Sequence, residues 1–274
     1  MRWGLLAAAL VAALALGFGT ADASAPAVQA RAYVVQSAVD GRTLAARDAD
    51  SPRAMASITK LMTVLVALER LSLDDEVTVT AAAARVGESS IGLRAGQRVQ
   101  VRDLVIGALV PSANDAATAL AIAASGNVPR FVAAMNRKAE ALGLTRTRYR
   151  NPHGLDEAGH VSSAADAAAL LRAALRVPVV RRYVGMDRAT LSDGRVVQST
   201  DNLLGALPGF AGGKTGSVPR RLSVDSTTRP SESVARSMPT YRRITGTRSA
   251  ARSSTAESAA VDTCPASSSP CGFR

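Results

Sequence analysis

The chain has 274 residues, 47% of them apolar, a formal net charge of +11 and only 3% aromatics. That length suits one large domain or two small ones with a sizeable core. The positive charge is spread as single arginines, and aromatic stacking platforms are scarce, which argues against nucleic-acid binding and allows only a general attraction to anionic envelope polymers or membranes.

Arg2 precedes the apolar run WGLLAAALVAALALGFG, and Ala21 and Ala23 follow it in a small-residue segment. This has the length and flanks of a secretory signal, with residues 1–23 removed and Ser24 first in the mature chain. The alternative is an uncleaved anchor, for which the run is short and rich in Ala. Either way the rest is expected to be exported to the cell envelope or the extracellular space. No second hydrophobic stretch would form a further transmembrane anchor.

Next, AYVVQSAV alternates, Asp40–Gly41 supplies a turn, and RTLAARD follows, which predicts a β-hairpin. SITKLMTVLVALERL has the spacing of a buried helix with Ser57 at its start. VRDLVIGALV predicts a helix stopped by Pro111. After the polar turn PSANDAA a further helix resumes, with Asn114 or Asp115 as its cap. VPRFVAAMNRKAEALG is amphipathic and ends at Gly143, a natural C-terminal residue in the left-handed conformation. Ser163 and Asp166 have capping-box spacing, with Asp in place of Glu. ATLSDGRVVQST predicts a second hairpin around Asp193–Gly194, and LPGFAGGKTG a loop entering a strand. Strands, then helices, then strands imply an α+β fold, a helical cluster set between parts of one antiparallel sheet. A site is expected in the cleft between the two.

Only three of the 33 basic residues are lysines: Lys60, Lys138 and Lys214. Arg stays protonated, whereas a buried Lys can lose its proton and act as a base. Lys138 lies on an amphipathic helix and reads as a solvated surface residue. Lys60 follows Ser57 by three positions, so the amine and the hydroxyl share a helix face. A neutral Lys there can take the Ser proton and activate the oxygen as a nucleophile. In the polar turn, the Ser112 hydroxyl can relay a proton and the Asn114 amide can hold a substrate amide. Lys214 and Thr215 present an amine and a hydroxyl suited to a carboxylate, and Gly216 leaves room for substrate along an edge.

Ser-x-x-Lys, Ser-x-Asn and Lys-Thr-Gly, in that order, resemble the active-site triplet of penicillin-binding proteins and serine β-lactamases. The segments ASITKLMT, PSANDAA, FVAAMNRKAEALGLTRTRYRNPHGLD, HVSSAADAAALL, STDNLL and PGFAGGKTG narrow this. They are similar to the D-alanyl-D-alanine carboxypeptidases, the low-molecular-weight penicillin-binding proteins, from about Arg31 to Gly216. The resemblance implies a β-lactamase/transpeptidase-like fold and an exported enzyme that trims the terminal D-Ala from peptidoglycan stem peptides. It also implies covalent inhibition by β-lactams. Ser57 then resembles the acylated nucleophile, Lys60 its base and Ser112 the proton relay. Asn114 resembles a substrate-amide contact, and Lys214 and Thr215 the receptors of the substrate carboxylate. The backbone N–H groups of Ser57 and Ser217 would form the oxyanion hole.

His153, in the turn NPHGLD, is the rival base and reads as structural. Class A β-lactamases carry Ser-Asp-Asn where this chain has Ser112-Ala113-Asn114, and no Glu motif for a deacylating water precedes Lys214. Carboxypeptidase is therefore favoured over lactamase. No cofactor is expected, and His153 and His160 lack a metal-ligand pattern.

Beyond Gly216 the pattern fails: 13 of the 26 serines fall after it, and Pro219 sits where a strand should run. The reading is a catalytic domain over 24–216 and a tail over 217–274 that is disordered or frame-shifted. Loss of the following strands would leave the sheet incomplete, so a truncated, non-catalytic remnant or weak peptidoglycan-binding protein is the competing expectation. Cys264 and Cys271 either pair or are incidental thiols.

Overall fold

A computed structural model describes residues 29–216. The expected signal segment, the tail with Cys264 and Cys271, and Ser217 lie outside the described residues.

The first expected hairpin is present. Strands β1 (Tyr33–Gln36) and β2 (Thr43–Arg47) pair antiparallel. Gly41 turns between them at φ +77, a region Gly enters without the clash a Cβ would make. Then β3 (Arg53–Ala54) leads through a single tight turn, Ala56–Ile58, into helix α1 (Thr59–Leu68). Ser57 therefore sits in the tight turn just ahead of α1 rather than within its first turn. Strand β4 (Glu76–Thr78) and short helix α2 (Ala81–Ala84) precede β5 (Arg98–Gln100), which pairs back on β4.

Helices α3 (Val101–Leu109) and α4 (Asn114–Ser125) flank the polar turn, as the break at Pro111 predicts. Helix α5 (Val128–Ala141) is capped by Asn127 and followed by Gly143 at φ +72, as expected. Strand β6 (Val161–Ser162) pairs with β3, and α6 (Ala164–Ala174) and α7 (Pro178–Val184) follow. The second hairpin, β7 (Arg188–Thr190) with β8 (Val196–Gln198), closes around Asp193–Gly194.

The α+β class holds, but among the described residues the strands form four separate two-stranded antiparallel pairs rather than parts of one sheet. Lys214–Gly216 does not enter a strand, contrary to the reading of LPGFAGGKTG. A ladder needs a neighbour, and among the described residues none pairs with this segment. The expected capping box is half formed. Ser163 Oγ accepts from Asp166 N at 3.1 Å, but the Asp166 carboxylate turns to Arg146 N and the Thr147 hydroxyl. Asp is one methylene shorter than the Glu that would reach back to the cap.

The core is helical and centred on α4, which is buried from Asn114 to Ala121. Its Ala116, Ala117, Ala119 and Ala121 let neighbouring helices approach closely. Gly107 of α3 marks one close approach, since a Cβ there would lie 2.8 Å from Ile91 Cδ1 and 3.0 Å from Ala116 Cβ. Burial of Leu61, Met62, Val64, Leu104, Leu120, Phe131 and Met135 against this frame supplies the main stabilisation, at about 1.5–3 kcal/mol per large side chain. No described helix is long and apolar enough to cross a membrane.

Candidate active site

Two Ser–Lys pairs form the candidate site. Lys60 is fully buried on α1, and its Nζ lies 2.8 Å from Ser57 Oγ. The same amine donates to the His153 carbonyl at 2.7 Å. Burial foremost, then the charge of Lys214, brings the Lys60 pKa down to about 6 against the opposing pull of Glu88. A neutral amine keeps one N–H for His153 O and turns its lone pair to the Ser57 proton.

The second pair joins residues 102 positions apart: Lys214 Nζ donates to Ser112 Oγ at 2.7 Å. It also donates to Thr215 O at 2.9 Å. Burial brings Lys214 to about 7, opposed by Asp201. Both hydroxyls stand on strained backbone. Ser112 has φ +63, and Ala56, just before Ser57, has φ +46. Such non-Gly conformations cost about 1–3 kcal/mol and need a surrounding structure that enforces them.

That enforcement is visible around Ala56. Gly154, at φ +94, packs so closely that a Cβ would sit 2.1 Å from Ala56 O and 2.9 Å from Ser57 N. On the other side a Cβ on Gly216 would lie 3.0 Å from Ala56 Cβ and 3.3 Å from Ser57 N. The Lys-Thr-Gly segment thus runs beside the Ser57 turn although no ladder holds it. The Ser57 N–H makes no hydrogen bond among the described residues, so it is free to act as a donor. Thr215 Oγ1 is 2.6 Å from Thr200 Oγ1, which ties the segment to the turn after β8.

Asn114 is buried, and its Nδ2 donates to Gly87 O at 3.0 Å. Neither Asn114 nor Asp115 caps α4, a correction to the sequence expectation. The N-cap is Ala113, without a side-chain bond. The Asp115 carboxylate accepts from Ser90 Oγ, Ile91 N and Leu93 N, and from the adjacent Ala116 N. A buried carboxylate gains from each such donor, and the first three fix the 90–93 loop against the Ser112 turn.

His153 makes no ring hydrogen bond to Ser57 among the described residues. Its ring accepts from Leu155 N at 3.2 Å, and burial foremost, with Lys60 next, lowers it to about 4. It contributes its carbonyl to Lys60, in keeping with a structural role. Sequence reading missed Thr59, Thr63, Thr200, Asp201 and the part played by His160. Thr63 Oγ1 donates to Pro152 O and Thr59 Oγ1 meets the His160 ring, contacts that no local spacing reveals. No group of three or more His, Cys, Asp or Glu among the described residues is arranged to hold a metal.

The family model described as D-alanyl-D-alanine carboxypeptidase matches residues 20–220. The chain is 33% identical over 197 residues to the D-alanyl-D-alanine carboxypeptidase DacF of Bacillus subtilis, covering 69% of this chain and 51% of that protein. It spans about half the length of the curated relatives it matches. Its fold is similar to a crystal structure of a D-alanyl-D-alanine carboxypeptidase from Mycobacterium tuberculosis, with a TM-score of 0.66, 34% identity and coverage of 69% and 73% of the two chains. For penicillin-binding protein 6B from Escherichia coli the TM-score is 0.62 at 37% identity, covering 66% of this chain and 60% of that one. With a Ser–Lys pair built on a buried lysine, a second Ser–Lys contact and this extent of match, the chain belongs to the D-alanyl-D-alanine carboxypeptidase family of low-molecular-weight penicillin-binding proteins.

Proposed function

We propose that the chain is a serine-type D-alanyl-D-alanine carboxypeptidase that removes the terminal D-Ala from peptidoglycan stem peptides through an acyl-enzyme on Ser57. The observation that carries this reading is the 2.8 Å contact between Ser57 Oγ and the buried Lys60 amine, whose pKa of about 6 leaves it neutral at pH 7. Lys60 takes the hydroxyl proton as Ser57 Oγ bonds to the penultimate D-Ala carbonyl. The Ser57 N–H faces the developing oxyanion, and one such donor is worth about 3–4 kcal/mol. The C–N bond then breaks, and the leaving amine of the terminal D-Ala receives a proton through the Ser112 hydroxyl. Water next cleaves the ester and restores Ser57. Lys214 and Thr215 receive the substrate's C-terminal carboxylate, Asn114 holds its amide, and Gly216 leaves the Ser57 turn uncovered. Ser217 would supply the second oxyanion donor.

In this reading residues 24–216 form the catalytic unit and 1–23 export it to the envelope. The family match ends at residue 220, just past Gly216, which supports that boundary. β-Lactams would acylate Ser57. A truncated, non-catalytic remnant is the competing reading, which the family match over residues 20–220 does not favour.

The test is to incubate the purified full chain with a fluorescent penicillin and with a peptide ending in D-Ala-D-Ala. A label mapped to Ser57 by peptide mass spectrometry, together with released D-Ala, is expected. Folded protein by circular dichroism with neither signal would establish the remnant.

A further inference from the structure

Thr59, in α1 beside the lysine base, and His160, ahead of β6, are fully or almost fully buried, at 0% and 3% exposure. The hydrogen bonds through them have a forced direction. The Arg150 backbone N–H donates to His160 Nδ1 at 2.9 Å. A backbone amide can only donate, so Nδ1 carries no proton and the ring proton is on Nε2. Nε2 lies 2.8 Å from Thr59 Oγ1 and therefore donates to it. The single Thr59 hydroxyl proton is left to point at the Ala56 carbonyl, which it meets at 2.8 Å. That carbonyl also accepts the Thr59 backbone N–H. Ala56 is the residue held at φ +46 immediately before Ser57.

We propose that His160 is a positioning residue for Ser57: by dictating where the Thr59 hydroxyl points, it holds the left-handed Ala56 turn and with it the aim of the nucleophile. The proposal rests on the reading of Ser57 as nucleophile. The opposite tautomer would face Nδ1–H against the Arg150 N–H, so the direction of the relay is locked from the loop side. Burial, which outweighs the pull of Glu157 and Asp156, lowers the ring to about 4 and keeps it neutral, as an accepting Nδ1 requires. The Tyr149 ring stands edge-on, its centroid 6.0 Å away, and fixes the plane of the imidazole.

Two substitutions separate positioning from simple loop support. His160→Asn puts an amide oxygen near Nδ1, keeping the Arg150 bond, but stops short of Thr59. His160→Gln reaches Thr59 with its amide nitrogen and gives up the Arg150 bond. Full-length variants, with Thr59→Val and the Thr59→Val/His160→Asn pair, are to be compared by fluorescent-penicillin acylation rate, by the Ser57 amide shift in 1H–15N NMR, and by melting. Thr59→Val and His160→Asn should each slow acylation roughly 10- to 100-fold and move the Ser57 amide alike. The double variant should be no slower than Thr59→Val alone, and His160→Gln should stay near the parent in rate and shift. Parent-like rate and shift in His160→Asn, or losses that multiply in the double variant, would overturn the proposal. If no form acylates, the parent included, the proposed function fails, and the Ser57 amide shifts alone still decide the relay.

Discussion

Replacing Lys60 by Met should make the protein more stable while abolishing acylation. Lys60 is fully buried, and its pKa falls from 10.5 to about 6 on folding. At 1.36 kcal/mol per pKa unit, holding it charged in the folded state costs about 6 kcal/mol. Between the two values the unfolded chain binds a proton that the folded chain does not, so the parent's stability rises with pH across that window. Below the folded value both states are protonated and the whole cost is present. Met fills the stem's volume without charge and loses only the amine's hydrogen bonds with the His153 carbonyl and the Ser57 hydroxyl. The half-buried Ser57 can turn to water, while the His153 carbonyl left short costs about 1–3 kcal/mol. The variant should therefore exceed the parent by about 3–5 kcal/mol at pH 6. The advantage should shrink by about 1.4 kcal/mol per pH unit and reverse before pH 10.5. Urea denaturation at a series of pH values, with the slope m checked for constancy, measures it. A stability difference that does not change with pH would refute the account of Lys60 as a neutral buried amine.

Three further outcomes are expected. The pH profile of kcat/KM on a D-Ala-D-Ala peptide should rise through about 6 as Lys60 loses its proton, and fall above about 7 as Lys214 loses the charge that attracts the carboxylate; a flat profile counts against both assignments. Lys214→Met should lower kcat/KM roughly 10- to 100-fold on a peptide with a free C-terminal carboxylate. It should change little on the corresponding C-terminal amide, and equal losses on both would remove Lys214 from carboxylate binding. Gly154→Ala, whose Cβ would lie 2.1 Å from Ala56 O, should lose acylation and at least about 1–3 kcal/mol of stability. The control is Gly96→Ala, also at positive φ but with no atom within 4 Å of the new carbon; equal melting points in the two variants would show that the Gly154 contact carries no strain.

Local chemistry was legible in the sequence and long-range pairing was not. The hairpins were signalled by Asp40–Gly41 and Asp193–Gly194, and the end of α5 by Gly143, because turn geometry depends on a few adjacent residues. Ser57 and Lys60 were legible as a pair because three positions of helical chain bring them together. Lys214 and Ser112 lie 102 residues apart, so their contact depends on how the chain returns past the Ser57 turn. Asp115 resembled a cap, as any acid at a helix start does, and only packing shows that the 90–93 loop claims it. Strands β3, β4, β5 and β6 have two or three residues each, too few for an alternating pattern to register. Thr59 and His160 passed as ordinary residues because their meaning lies in the direction of a proton, which depends on Arg150 N.

Three polar side chains of α1, those of Thr59, Lys60 and Thr63, all reach the loop from Pro152 to His160. Every one of them is at 0% exposure. A segment stitched to its neighbour from beneath has no cheap way to fray. The amides of α1 should exchange with solvent only when the whole domain opens. Mild heat would then not erode the protein gradually; the Ser57 turn and the core would be lost in one event.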